Sequence, residues 1–177
     1  YFKPNLETCF SDKNITTVFT DGCCINNGKT DSYKLGGYGI YFGYNDPRNL
    51  AEPYLDTPTN NKAELYAIIK TMEIVIPKLK TEKSHRLLIF TDSAYSMKAF
   101  TEWAEKWKKR GWKKSDGKPI KNLELIKYGF DLFQSYRSQI TICKVKAHTG
   151  GSDLMSKAND MADRLANLGA EKMKKNY

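Results

Sequence analysis

Four carboxylates in this 177-residue chain stand where residue type and spacing could do chemistry: Asp21, Glu64, Asp92 and Asp163. Two of them close nearly identical runs, Val18-Phe19-Thr20-Asp21 and Ile89-Phe90-Thr91-Asp92. In an open α/β sheet, ligands bind in the crevice beyond the carboxyl ends of the strands. If these two runs are neighbouring strands, their acids face each other at one rim. Carboxylates that close repel, and one is driven to hold a proton unless a divalent cation compensates them. Mg²⁺ is a hard ion that takes carboxylate oxygens and keeps water in its remaining positions. Singly, each acid also has a structural reading. An acid in a first helical turn, as expected for Glu64, complements the helix dipole, and Asp-Gly after a strand is turn chemistry. Asp160 competes with Asp163 for the fourth place.

The elements that must position these acids are legible from periodicity. Residues 1–13 read as a loose polar lead-in. Ile15, Thr17, Phe19 and Asp21 alternate with Thr16, Val18 and Thr20, which predicts a strand ending at Asp21-Gly22. Gly36-Gly37 opens a second strand, Tyr38 to Tyr44; Asp46-Pro47 turns the chain, and a third strand near Asn49 to Tyr54 completes an antiparallel meander. A helix over Ala63 to Ile76 follows, capped by the preceding Asn residues and stopped by Pro77. Leu87-Leu88-Ile89-Phe90 is the continuous apolar run of a strand covered on both faces, and Asp92 or Ser93 caps the next helix. Helical text runs from Tyr95 to Lys108, breaks at Gly111 and resumes from Leu123 to Tyr136. Gln139 to Val145 is the last strand, and a helix from Ser156 to Lys174 places Met161, Leu165 and Leu168 on one face. The order β-β-β-α-β-α-α-α-β-α describes one α/β domain, a mixed sheet with helices on both faces.

Composition narrows the partners. Hydrophobic residues at 40% and charged residues at 28% fit a globular domain rather than a disordered chain. No apolar run approaches the roughly 20 residues needed to cross a membrane. The opening Tyr1-Phe2-Lys3-Pro4 has neither a signal peptide's apolar stretch nor an initiator Met, which leaves open an expressed fragment or a piece of something longer. Net charge is +9, with eight Lys or Arg against one acid, Asp116, between Lys106 and Lys121. Such a patch is the footprint of a polyanion, nucleic acid or anionic membrane, or else a solvated surface loop. The tryptophans Trp103, Trp107 and Trp112 all lie in this segment. They are either helix core or a platform, aromatic faces against sugars with Lys108, Lys109 and Arg110 on phosphates. Cys9, Cys23, Cys24 and Cys143 form no paired C-x-x-C pattern, and a reduced, intracellular protein is the simpler reading.

Taken in order, Thr20-Asp21-Gly22-Cys23-Cys24, Thr59-Asn60-Asn61-Lys62-Ala63-Glu64, Thr91-Asp92-Ser93, the segment Trp103 to Lys113, His148-Thr149-Gly150 and Asn159 to Ala166 resemble the cellular type 1 ribonuclease H enzymes. The match runs from about Ile15 to Ala170, and the Cys-Cys pair looks more like eukaryotic members than bacterial ones. The resemblance implies a ribonuclease H-like fold, a five-stranded mixed sheet flanked by helices, with residues 14–177 as the catalytic domain. It also implies endonucleolytic cleavage of the RNA strand of an RNA–DNA hybrid, leaving 3′-hydroxyl and 5′-phosphate ends. Asp21, Glu64, Asp92 and Asp163 would hold two Mg²⁺ ions roughly 4 Å apart, with Mn²⁺ as a substitute. The family pattern selects Asp163 over Asp160. His148 would assist proton transfer or product release from a mobile loop, although the stretch from His148 to Asn159 is longer here than is usual.

For the substrate, the resemblance implies that Trp103 and Trp107 form a DNA channel, with Lys108, Lys109, Arg110, Trp112 and Lys113 in a basic handle. Thr59, Ser115 and Asn122 fall at DNA-phosphate positions, whereas Thr57 stands where eukaryotic members carry an Arg. Cys24, Asn27 and Asn61 match residues near RNA 2′-hydroxyls, the group that tells RNA from DNA. A monomer without a membrane partner is expected. Two rivals stand beside this reading: the ribonuclease H domain of a retroelement reverse transcriptase, and a catalytically silent hybrid-binding module.

Overall fold

The β-branched and aromatic run that begins at Ile15 forms β1 (Ile15–Ile25), the central strand of a five-stranded sheet ordered β3-β2-β1-β4-β5. The computed structural model describes residues 5–26, 33–146 and 151–174. β2 (Leu35–Tyr41) pairs antiparallel with β1 and with β3 (Leu50–Tyr54). β4 (Arg86–Thr91) lies parallel to β1 on its other side, and β5 (Ile140–Lys144) continues parallel beyond β4. The sheet is therefore mixed, as expected.

Side-chain alternation divides the core into two layers. Val18, Ile40, Leu87, Ile89 and Ile142 share one cluster with α2 (Asn60–Thr81) and α5 (Leu123–Ser135). Phe19, Leu88 and Phe90 share the other with α1 (Leu6–Ser11) and α6 (Leu154–Lys174). Phe19 and Phe90, cross-strand partners, stack with ring centroids 4.7 Å apart.

Several expectations need correction. The lead-in contains α1, whose Leu6 and Cys9 are buried one turn apart and whose N-cap, Asn5, accepts from the Thr8 amide. Six residues are too few for an isolated helix, and packing of Phe10 on Phe19 holds it in place. β1 does not stop at Asp21: its pairing with β4 ends at Thr20↔Thr91, while its pairing with β2 continues to Ile25↔Leu35. α2 starts at Asn60 with Thr59 as its cap, and it runs through Pro77. Fully buried Leu79 anchors the last turn, and the Gln139 amide reaches the carbonyls of Leu79, Glu82 and His85 beyond it.

The rod after β4 comprises α3 (Ala94–Lys98), a π-helical turn at Ala99–Trp103 and α4 (Ala104–Lys109). Ser93, rather than Asp92, caps it. On α6 the buried stripe is Ala158, Ala162, Ala166, Gly169 and Ala170, whereas Leu168 is 47% exposed. The small stripe wins because α6 lies directly on the backbone of β2. A Cβ on Gly37 would overlap Ala170, and one on Gly39 would overlap Ala162 and Ala166.

Candidate active site

The early end of the β1–β4 pairing builds the site. Where β4 stops at Thr91, β1 continues, so Asp21 and Asp92 sit at the rim of the crevice on the α6 side of the sheet. Glu64 arrives from α2, on the opposite layer, in the second turn of that helix rather than in its first. Dipole complementation in a first turn therefore does not account for it. Gly22 allows the approach, since a Cβ there would lie 2.6 Å from the Ala63 carbonyl oxygen and overlap the Glu64 nitrogen. Asn60 Oδ1 accepts from the Cys24 amide at 2.7 Å, fixing the start of α2 against β1.

Asp21, Glu64 and Asp92 each offer a carboxylate oxygen, all within 4.8 Å of one another. Asp21 is 5% and Glu64 9% exposed, and no Lys, Arg or His among the described residues comes within ion-pair distance of the three. Burial pushes the Asp21 carboxyl up, reinforced by Glu64, Asp92 and Asp163. Burial also pushes Glu64 up, as do Asp92 and Asp163, against hydrogen bonds from Asp21 and Gly22 that pull it down. Glu64 Oε2 is buried with no hydrogen-bond partner. Hard oxygen donors, stacked negative charge and an orphaned buried oxygen together fit a divalent cation.

Asp163, on α6, is the fourth acid: it stands near enough to Asp21 to help raise its pKa, but it is not one of the three whose oxygens converge within 4.8 Å. Asn167 Nδ2 donates to its Oδ2 at 3.4 Å. Asn159, one turn earlier on the same face, donates from Nδ2 to Asp92 Oδ2 at 3.4 Å. In the sequence Asn159 opens the Asn159 to Ala166 run and stands four residues before Asp163, but nothing there shows its contact with Asp92. The Cys23 thiol, half-buried near Asp21 and Asp163, is pushed up to about 12, by burial first and then by those acids. His148 and Asn27 lie outside the described residues.

The tryptophans of the basic segment pack on the core, as one of the two readings of them expects. Trp103, Trp107 and Trp112 are half-buried against the core, and Trp103 packs on Tyr95 and Trp107 with centroids 5.6 and 5.7 Å away. Lys108, Lys109, Arg110 and Lys113 are exposed around them. The rod is thus seated by one side of its aromatics and ringed by cations on the other.

A separate depression of about 580 Å³ opens between the starts of α2 and α5. Thr59, Asn61 and Asn122 line it together with Asn60, Lys34, Lys62 and Lys121. The three lysines were not apparent from the sequence, because they come from separate segments. Asn122 takes a left-handed conformation (φ 59°) and donates to the Tyr95 hydroxyl at 3.0 Å. Ser115, on the exposed basic loop, does not line this depression. Cys24 is buried, its thiol donating to the Pro58 carbonyl.

Known proteins share this pattern. The family model of RNase H matches residues 13–171. A ribonuclease H of Schizosaccharomyces pombe is 38% identical over 161 residues, 90% of this chain and 54% of that protein. A ribonuclease H of Ruthia magnifica is 35% identical over 158 residues, 88% of this chain and 95% of that protein. The chain thus spans about half the length of the first relative and nearly all of the second. The solved PFV RNase H domain superimposes with a TM-score of 0.68 at 24% identity, covering 88% of this chain and 94% of that one, a likeness of fold.

Proposed function

The chain belongs to the ribonuclease H family, and on that premise we propose that it hydrolyses the RNA strand of RNA–DNA hybrids, leaving 3′-hydroxyl and 5′-phosphate ends. The observation that carries this reading is the convergence of Asp21, Glu64 and Asp92 oxygens within 4.8 Å, with no cation among the described residues in ion-pair distance of them. Asp21, Glu64, Asp92 and Asp163 would hold Mg²⁺, for which Mn²⁺ is a chemically similar substitute. Bound as a pair, such ions supply Lewis-acid stabilisation of the scissile phosphate and a water acidic enough to attack at neutral pH.

The chain's own residues do the positioning. Buried Asp21 and Glu64 present oxygens whose charge is unfavourable until a cation is present, which ties an intact site to metal loading. Trp103 and Trp107 offer aromatic surface to the DNA strand, and Lys108, Lys109, Arg110 and Lys113 neutralise its phosphates. The depression with Thr59, Asn122 and Lys121 takes a further phosphate, with lysines in place of the arginine expected at Thr57. Asn61, exposed at the start of α2 on the edge of that depression, would approach an RNA 2′-hydroxyl. His148 is assigned to proton transfer or product release.

The test is a strand-labelled assay on RNA–DNA hybrid, double-stranded RNA and double-stranded DNA, with Mg²⁺ or EDTA. Cleavage of only the hybrid's RNA strand, lost in EDTA and in Asp92→Asn, is expected. Equal cleavage of double-stranded RNA, or near-normal activity of Asp92→Asn, overturns the reading. Tight hybrid binding with no cleavage would favour a silent binding module.

A further inference from the structure

We propose that Asn159 is a positioning residue for Asp92, holding that carboxylate in the orientation in which it shares a cation with Asp21 and Glu64; this rests on the reading of those acids as metal ligands. Asn159 lies on α6, is 2% exposed, and donates from Nδ2 to Asp92 Oδ2 at 3.4 Å. Its Oδ1 is buried with no hydrogen-bond partner. A buried amide kept for stability alone has both ends satisfied, because an unmet carbonyl is costly. Turning the amide over would set its oxygen against the carboxylate, so Asp92 fixes which way it faces. Asn159 is thus held in a locally unfavourable state whose one benefit falls on Asp92.

The residue type fits that task. A lysine or arginine in this position would neutralise Asp92 and compete with the cation, and an acid would add to the repulsion. An amide donates a hydrogen bond while leaving the net charge of the cluster unchanged. Spacing is consistent with this: Asn159 and Asp163 stand one turn apart on one face of α6, and Asn159 reaches Asp92 from there. Partners that orient metal ligands commonly change metal affinity about 10- to 100-fold when removed.

The experiment is calorimetric titration of Mg²⁺ and Mn²⁺ into hybrid-free wild type, Asn159→Leu and Asn159→Ala. Both variants should bind either ion about 10- to 100-fold more weakly. The metal concentration for half-maximal cleavage should rise in parallel, with KM for hybrid unchanged. Asn159→Leu conserves volume and removes the unpartnered carbonyl, so its Tm in EDTA should not fall, whereas a merely structural asparagine would lower it. Wild-type metal affinity in either folded variant overturns the proposal. If neither variant folds, the side-chain amide NMR signal of wild-type Asn159 decides. It should shift on Mg²⁺ addition with the same apparent affinity as calorimetry reports, and an unmoved signal overturns the proposal. Asp92→Asn separates the two readings. If it keeps wild-type metal binding, the ligand assignment itself fails; if it loses binding while the Asn159 variants keep it, only the role of Asn159 fails.

Discussion

Gly22 of β1 and Glu64 of α2 pack backbone to backbone, with a Cβ on Gly22 overlapping the Glu64 nitrogen and lying 2.6 Å from the Ala63 carbonyl oxygen. This contact brings a helix from one layer of the sheet to acids on the other. Gly22→Ala should therefore lose about 1–3 kcal/mol of stability or more by overpacking, read by urea denaturation. It should also lose cleavage at temperatures where it remains folded, because Glu64 is displaced from Asp21. A folded variant with full activity would show that the close approach does not set the site.

Charge at the acid cluster opposes folding without a cation. The folded pKa of Asp21 lies above its unfolded value, through burial first and then its acidic neighbours. Its contribution to stability is therefore full below the ordinary carboxylate range and is lost as pH rises from there. Asp21→Asn removes that loss. In EDTA at neutral pH its Tm should equal or exceed that of wild type, whereas millimolar Mg²⁺ should raise Tm only in wild type. A Mg²⁺-dependent rise of equal size in Asp21→Asn would count against the site.

The exposed lysines of α4 act at longer range. Lys108→Ala combined with Lys109→Ala should raise KM for hybrid with kcat little changed, and reduce the salt slope of binding by about one per lysine. Steady-state cleavage across a salt series measures both. An unaltered slope would remove this segment from the interface.

Far from the acids, His85 is 3% exposed and its Nε2 lies 2.7 Å from Thr16 Oγ1. Burial, then Lys78, hold its pKa below the usual histidine value, against a smaller upward pull from Glu82. The unfolded chain therefore takes the proton first as pH falls. The stability His85 contributes is full above about pH 6.5 and declines as pH falls through its lower folded value. His85→Gln should flatten this part of the stability–pH curve. Denaturant midpoints measured from neutral to mildly acidic pH test it, and parallel curves for the two proteins would refute it.

How far the sequence reaches can be judged residue by residue. The repeated runs Thr20-Asp21 and Thr91-Asp92 mark two strands, because a period of two and a continuous apolar run are local signals of a strand and its burial; that the two are neighbours, which sets their acids at one rim, is decided by the sheet pairing. The same periodicity misreads α6, where Met161, Leu165 and Leu168 look like the packed face but an alanine stripe is packed instead. The deciding partners, Gly37 and Gly39, lie more than a hundred residues away. Pro77 misleads for a similar reason, since the core contact of Leu79 outweighs the missing N–H.

By itself, then, the sequence determined most of the elements, the two acids that follow the paired Thr20 and Thr91, and the basic, aromatic segment, all written in neighbouring residues. Only the tertiary structure decided that Glu64 and Asp163 reach those acids from opposite layers, that Asn159 holds Asp92, and that Lys34, Lys62 and Lys121 meet in one depression. Those outcomes depend on strand order and on how closely backbones approach, and both are fixed by packing between distant segments.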